Sequence, residues 1–128
     1  MLSEKFTSIC LEACKKFAKS NGISVHDAQI VLTLKDGWME CWMYRHYSKS
    51  EKWELKKILN LTLDILGIEN KVRTKITGLL KAYCIEHDAK ESDMHIMIVP
   101  DGGSDVYVWL YKGGDAIAQL DTEEIFKQ

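Results

Sequence analysis

The sequence predicts an α+β fold: an antiparallel five-stranded sheet, two strands then three, packed against helices in the order α-β-β-α-α-β-β-β-α. Three observations carry this. Apolar residues recur at three- and four-residue steps in some segments, they alternate one-on, one-off in others, and Gly-containing turn signals separate the alternating segments.

From Ser3 to Ser20 the residues Leu2, Phe6, Ile9, Cys10, Ala13 and Phe17 mark one buried helix face, and Asn21-Gly22 closes it. Ala28, Ile30, Leu32 and Leu34 then alternate with Gln29, Val31, Thr33 and Lys35 before Asp36-Gly37, a two-residue hairpin turn. On the return strand, Trp38 to Tyr47, Met39, Cys41 and Met43 share one face while Trp38, Glu40, Trp42 and Tyr44 share the other. Both faces carry large apolar groups, so the sheet is expected to be covered on both sides, with a second subunit as one source of cover.

Ser50 is the expected N-cap of a helix from about Glu51 to Leu66, with Leu55, Ile58, Leu59, Thr62 and Leu66 as its stripe and Gly67 at its end. Asn70 is placed to cap a second helix, antiparallel to the first, with Val72, Ile76, Leu79, Leu80, Tyr83 and His87 on one face. Met94 to Val99 reads as a strand, Pro100-Asp101-Gly102-Gly103 as a turn, and Val106 to Tyr111 as the returning strand. Gly113-Gly114 turns the chain into a short strand, Ala116 to Leu120, and Asp121 or Thr122 caps a last helical turn. The hairpins share Asp27-Ala28-Gln29-Ile30 and Asp93-Met94-His95-Ile96, a likeness that alternation alone produces, so no repeat is expected. The layout resembles the small sensor and scaffold folds of the PAS, GAF, profilin and roadblock kinds, which also join two strands to three through helices.

The 128 residues fit a single domain, 1–128, and 46% hydrophobic with 28% charged residues is ordinary globular usage. The opening Met1-Leu2-Ser3-Glu4-Lys5 runs straight into a helical pattern without the basic flank and apolar stretch of a secretory signal, and no segment has the length to span a bilayer. The expectation is a cytoplasmic protein with no membrane partner. The net charge of −2 hides a polarity: residues 1–85 hold 14 Lys/Arg against 9 Asp/Glu, whereas 86–128 hold 3 against 10. Such a polarity guides association, not folding.

Cys10 and Cys14 with Cys84 and His87 have spacings that place each pair on one helix face, a donor set suited to tetrahedral zinc. Cys10 and its neighbours stand in apolar stripes, however, so core thiols, with no metal and no cofactor, are expected. Met39, Cys41 and Met43 with His95 and Met97 are soft donors that copper(I) would favour, and equally a Met-rich core face. A magnesium nuclease would need an acidic residue where Leu110 stands, two positions before Lys112, to join Asp101. His26-Asp27 and His87-Asp88 are the sole His-Asp dipeptides, and no nucleophile elbow or phosphate loop is present. No catalytic residues are assigned, and the chain is not expected to be an enzyme. Lys52, Lys56, Lys57, Lys71, Arg73 and Lys75 could line a basic patch, but a nucleic-acid partner is not the leading expectation.

Tyr107, Trp109 and Tyr111 fall on one face of their strand and Val106, Val108 and Leu110 on the other. If the aliphatic set faces the core, the three aromatics stand outward as partner-binding residues. The sequence is therefore read as a non-enzymatic protein-interaction module, such as a small bacterial or phage inhibitor, immunity protein or adaptor, whose partner is another protein or a second copy in a homodimer. A small-molecule sensor of PAS/GAF-like layout is the alternative, with a metal-dependent hydrolase or nuclease last.

Overall fold

A computed structural model describes residues 2–46, 48–59 and 65–127. The chain runs α1 (Leu2–Asn21), β1 (Ala28–Lys35), β2 (Trp38–Arg45), β3 (Ser48–Lys52), α2 (Leu55–Leu59), α3 (Ile65–Glu86), β4 (Met94–Pro100), β5 (Val106–Lys112), β6 (Asp115–Leu120) and α4 (Thr122–Ile125), with 3₁₀ turns at Val25–Asp27 and Glu91–Asp93. The α+β class, the antiparallel pairing and the expected order of elements are all present, and β3 adds a sixth strand at one edge. No helix among the described residues is long and apolar enough to cross a membrane.

Local chemistry explains most boundaries. Gly22 ends α1 at φ +64°, and Asp36 and Gly37 both take positive φ, the pattern of a type I′ hairpin turn. The Asp121 carboxylate accepts the Glu123 N–H at 3.0 Å and caps α4. The segment expected to be a helix from Glu51 to Leu66 differs: its start belongs to β3, and α2 occupies Leu55–Leu59, opened by the Glu54 carbonyl accepting the Lys57 N–H at 2.9 Å. Ser50 is thus a strand residue instead of a cap, Gly67 and Asn70 lie inside α3, and Thr62 lies outside the described residues. Pairing with the outer edge of β2 overrides a local sequence, Ser48-Lys49-Ser50-Glu51-Lys52, that has no apolar alternation to announce a strand.

The sheet order is β3-β2-β1-β4-β5-β6, every neighbour antiparallel. The helices cover one face. Ile30, Leu32, Met39, Met43, Ile96, Ile98, Val108 and Leu110 point into it and meet Phe6, Cys10, Phe17, Ile76 and Leu80 in one core. Each such side chain contributes roughly 1.5–3 kcal/mol by leaving water.

That order also contains an internal structural repeat. The succession helix, 3₁₀ turn, three strands, helix occurs twice, and the halves match in detail. Ile23 N–H bonds Ala18 carbonyl at 3.0 Å and Ala89 N–H bonds Cys84 carbonyl at 2.9 Å. His46 N–H reaches Asp27 carbonyl and Gly113 N–H reaches Asp93 carbonyl, each at 2.7 Å. The pairing slips by one residue opposite Met43 and Tyr44 of β2, where β3 carries the extra Ser50, and at the matching place opposite Leu110 and Tyr111 of β5, where β6 carries the extra Ile117. Val31 pairs with Met97, its counterpart in the second half, so a pseudo-twofold axis pierces the sheet between β1 and β4. The likeness between Asp27–Ile30 and Asp93–Ile96 is part of this repeat and more than a product of alternation, contrary to the expectation from sequence.

Candidate functional site

Alternation that sends Ile30 and Leu32 into the core sends Gln29, Val31 and Thr33 to the opposite face, which no helix among the described residues covers. Pairing lines its residues up in rows. One row reads Lys52, Trp42, Val31, Met97, Trp109, Gln119, and the next Glu40, Thr33, His95, Tyr111, Ala116. Val31 is only 7% exposed yet lies outside the core cluster, so what shields it is its own neighbours on this face. Trp42, Tyr44, Met97, Val99, Trp109 and Tyr111 are half-buried and likewise stand apart from the core, while Tyr107 is 48% exposed. The chain thus holds two apolar layers, one between sheet and helices and one on the bare side of the sheet.

The pseudo-axis relates the aromatic residues: Trp42 and Tyr44 on β2 match Trp109 and Tyr111 on β5, each tyrosine next to its register shift. Trp42 and Tyr44 rings lie 6.4 Å apart, and His95 stacks on Tyr111 at 5.1 Å and 18°. Burial lowers the His95 pKa and so favours the neutral imidazole. At the β3 end, Lys52 sits 5.5 Å from the Trp42 ring and pairs with Glu40, a hydrogen bond that holds the Glu40 carboxyl below its usual range. At the turn corner the Arg73 guanidinium lies 5.2 Å over the Trp38 ring.

The expected partner-binding residues Tyr107, Trp109 and Tyr111 all fall on this face, with Val106, Val108 and Leu110 buried beneath. The sequence also put Trp42 and Tyr44 on one face of their strand, opposite Met39, Cys41 and Met43, but with both faces apolar it did not tell which meets the core, and it lacked the pairing that joins the two aromatic strands through Val31 and Met97. The other candidates are not brought together. Cys10, Cys14 and Cys41 are free thiols in the core, burial raising all three and Cys14 to about 12, whereas Cys84 points its thiol at the Lys90 carbonyl, 3.9 Å away. Met39, Cys41 and Met43 face the core and His95 and Met97 the opposite side. The Asp101 carboxylate accepts the Gly103 N–H at 2.7 Å within its turn, and Lys112 donates to the His87 carbonyl at 2.9 Å. Among the described residues no group of three or more His, Cys, Asp or Glu is placed to hold a metal ion. In the basic set, Arg73 donates to the Met39 carbonyl at 3.1 Å and Lys75 to the Phe126 carbonyl at 3.4 Å.

Comparison with family models, with curated proteins and with solved structures finds no match.

Proposed function

We propose that the chain is a non-enzymatic interaction module that binds a partner protein through the open face of its sheet, in the manner of a small inhibitor, immunity protein or adaptor. One observation carries this reading: the row Trp42, Val31, Met97, Trp109 forms an apolar layer outside the core, flanked by Tyr44, Tyr107 and Tyr111. Trp, Tyr and Met are the residues that protein interfaces concentrate at their centres, and a contiguous patch of them on an uncovered surface is otherwise a liability for solubility. Lys52 and Glu40, ion-paired at the margin, fit the polar rim of such a surface.

The test is recovery of the binding partner on the immobilised chain, followed by titration of the purified partner against wild type and Trp109→Ala. A loss of affinity of about tenfold or more in the variant is expected. Equal affinity of both proteins would remove the open face from the function.

A further inference from the structure

We infer that the open face also pairs with itself: two copies of the chain stack sheet on sheet about a twofold axis parallel to the strands, so that β1–β3 of each copy lie over β4–β6 of the other. This rests on the reading of that face as an interaction surface and names a partner for it. Three features carry the inference.

The first is self-complementarity. An isologous dimer needs one patch whose residues meet each other reciprocally. Because Val31 and Met97 flank the pseudo-axis, the proposed rotation sets Val31 over the second copy's Met97 and Trp42 over its Trp109, each contact occurring twice. The two bare sheets become the inner faces of a sandwich, with the helices outside.

The second is charge. Residues 28–52, which form β1 to β3 and their turns, hold 4 Lys/Arg against 3 Asp/Glu, and residues 94–120, which form β4 to β6 and theirs, hold 1 against 3. An axis parallel to the strands sets each half over the oppositely charged half. An axis across the strands would set each half over its own copy. Association favours the first arrangement.

The third is size. Six strands at about 4.8 Å spacing and seven residues at about 3.3 Å each span a footprint of roughly 500 Å² per copy, before side-chain relief is added. Two such faces bury on the order of 1,000 Å² or more, within the range of specific but reversible interfaces. A micromolar dissociation constant is the expected strength.

The experiment is sedimentation and native mass spectrometry of the full chain up to about 100 µM. Wild type is expected to dimerise, Trp42→Ala and Trp109→Ala to weaken the dimer at least about tenfold, and the surface change Tyr107→Glu to do so without disturbing the fold. Mixing Trp42→Ala with isotopically labelled Trp109→Ala restores one intact tryptophan pair per dimer, so mixed dimers should exceed the statistical half. Mixed dimers at or below half place the axis across the strands and overturn the arrangement. A dimer indifferent to all three substitutions overturns self-pairing through this face. A monomer overturns it as well, whether or not it binds a single-stranded oligonucleotide on the same tryptophans. If that monomer's Trp109→Ala variant still loses a captured protein, the interaction reading survives without self-pairing; if it loses nothing, both fall.

Discussion

At the start of its second strand the first half is tied to a helix of the second. The Met39 N–H donates to Thr77 Oγ1 at 3.1 Å, and Arg73 donates to the Met39 carbonyl at 3.1 Å. The counterpart of Met39 is Val106, but the α1 residues matching Arg73 and Thr77 are Thr7 and Leu11, which supply no such pair; the Val106 N–H turns to the Asp105 carboxylate at 2.8 Å instead. The groove beside β5, lined by Ser3, Thr7, Leu11, Asp105 and Asp121, accordingly measures about 530 Å³, whereas the one holding Arg73 measures about 270 Å³. The two halves share the backbone, its register shifts and its hydrogen bonds, while the side chains that close each half differ.

The largest expected contrast lies in the helices. Phe17 is fully buried and meets Trp53 edge to face at 5.9 Å, whereas its match in α3, Tyr83, is half-buried and stands beside His87. Phe17→Ala should cost about 3–5 kcal/mol through the cavity it leaves, and Tyr83→Ala about 1 kcal/mol, both read from urea denaturation. Equal costs would mean that the halves are packed alike and that the difference is confined to their rims.

How far the sequence reveals this arrangement depends on the residue. Where one side of a strand is clearly the more apolar, as Ala28, Ile30, Leu32 and Leu34 are against Gln29, Val31, Thr33 and Lys35, alternation places both strand and core face. Where a turn needs positive φ, Asp36-Gly37 and Gly22 mark it. β3 left no local mark, because an edge strand of Ser, Lys and Glu is stabilised by pairing with β2 and not by its own pattern. With β3 unread, the first half has two strands against three, and the repeat cannot be seen. Differing residues hide it further: the position held by Gly22 in one half is Asp88 in the other, at φ +48°, and Lys52 matches Gln119. The aromatic strands were legible separately, but their union into one face depends on β1 pairing with β4, a contact between residues far apart in the chain.

The tie between α3 and β2 gives the next contrast. Thr77 is 4% exposed, and Thr77→Val keeps its shape while leaving the buried Met39 N–H without its acceptor. A loss of about 1–3 kcal/mol is expected. In the second half Asp105 is exposed, so Asp105→Ala leaves the Val106 N–H in reach of water and should cost no more than about 0.5 kcal/mol. Thermal melts of the two variants check the pair, and a larger shift for Asp105→Ala would reverse the view that the first half is the one locked by its neighbour.

The smallest effect is a matter of pH, and it too separates the halves. His95 occupies the place that Gln29 holds in the first half; Gln29 bonds His46, whereas His95 stacks on Tyr111 with neutral Thr33 as its other strand neighbour. Burial lowers the folded-state pKa of His95 below the ordinary 6.5, so the unfolded chain takes up its proton first as pH falls. Above 6.5 both states are neutral at this site and it adds no pH dependence. Between 6.5 and the lower folded value, stability declines with falling pH, and below that value the loss is complete. His95→Gln installs the first half's residue and removes this titration, so its urea midpoint should be flatter than that of wild type between pH 7 and the onset of carboxylate protonation. Identical slopes would show that the imidazole is as well hydrated in the folded chain as in the unfolded one, and that the second apolar layer does not extend to His95.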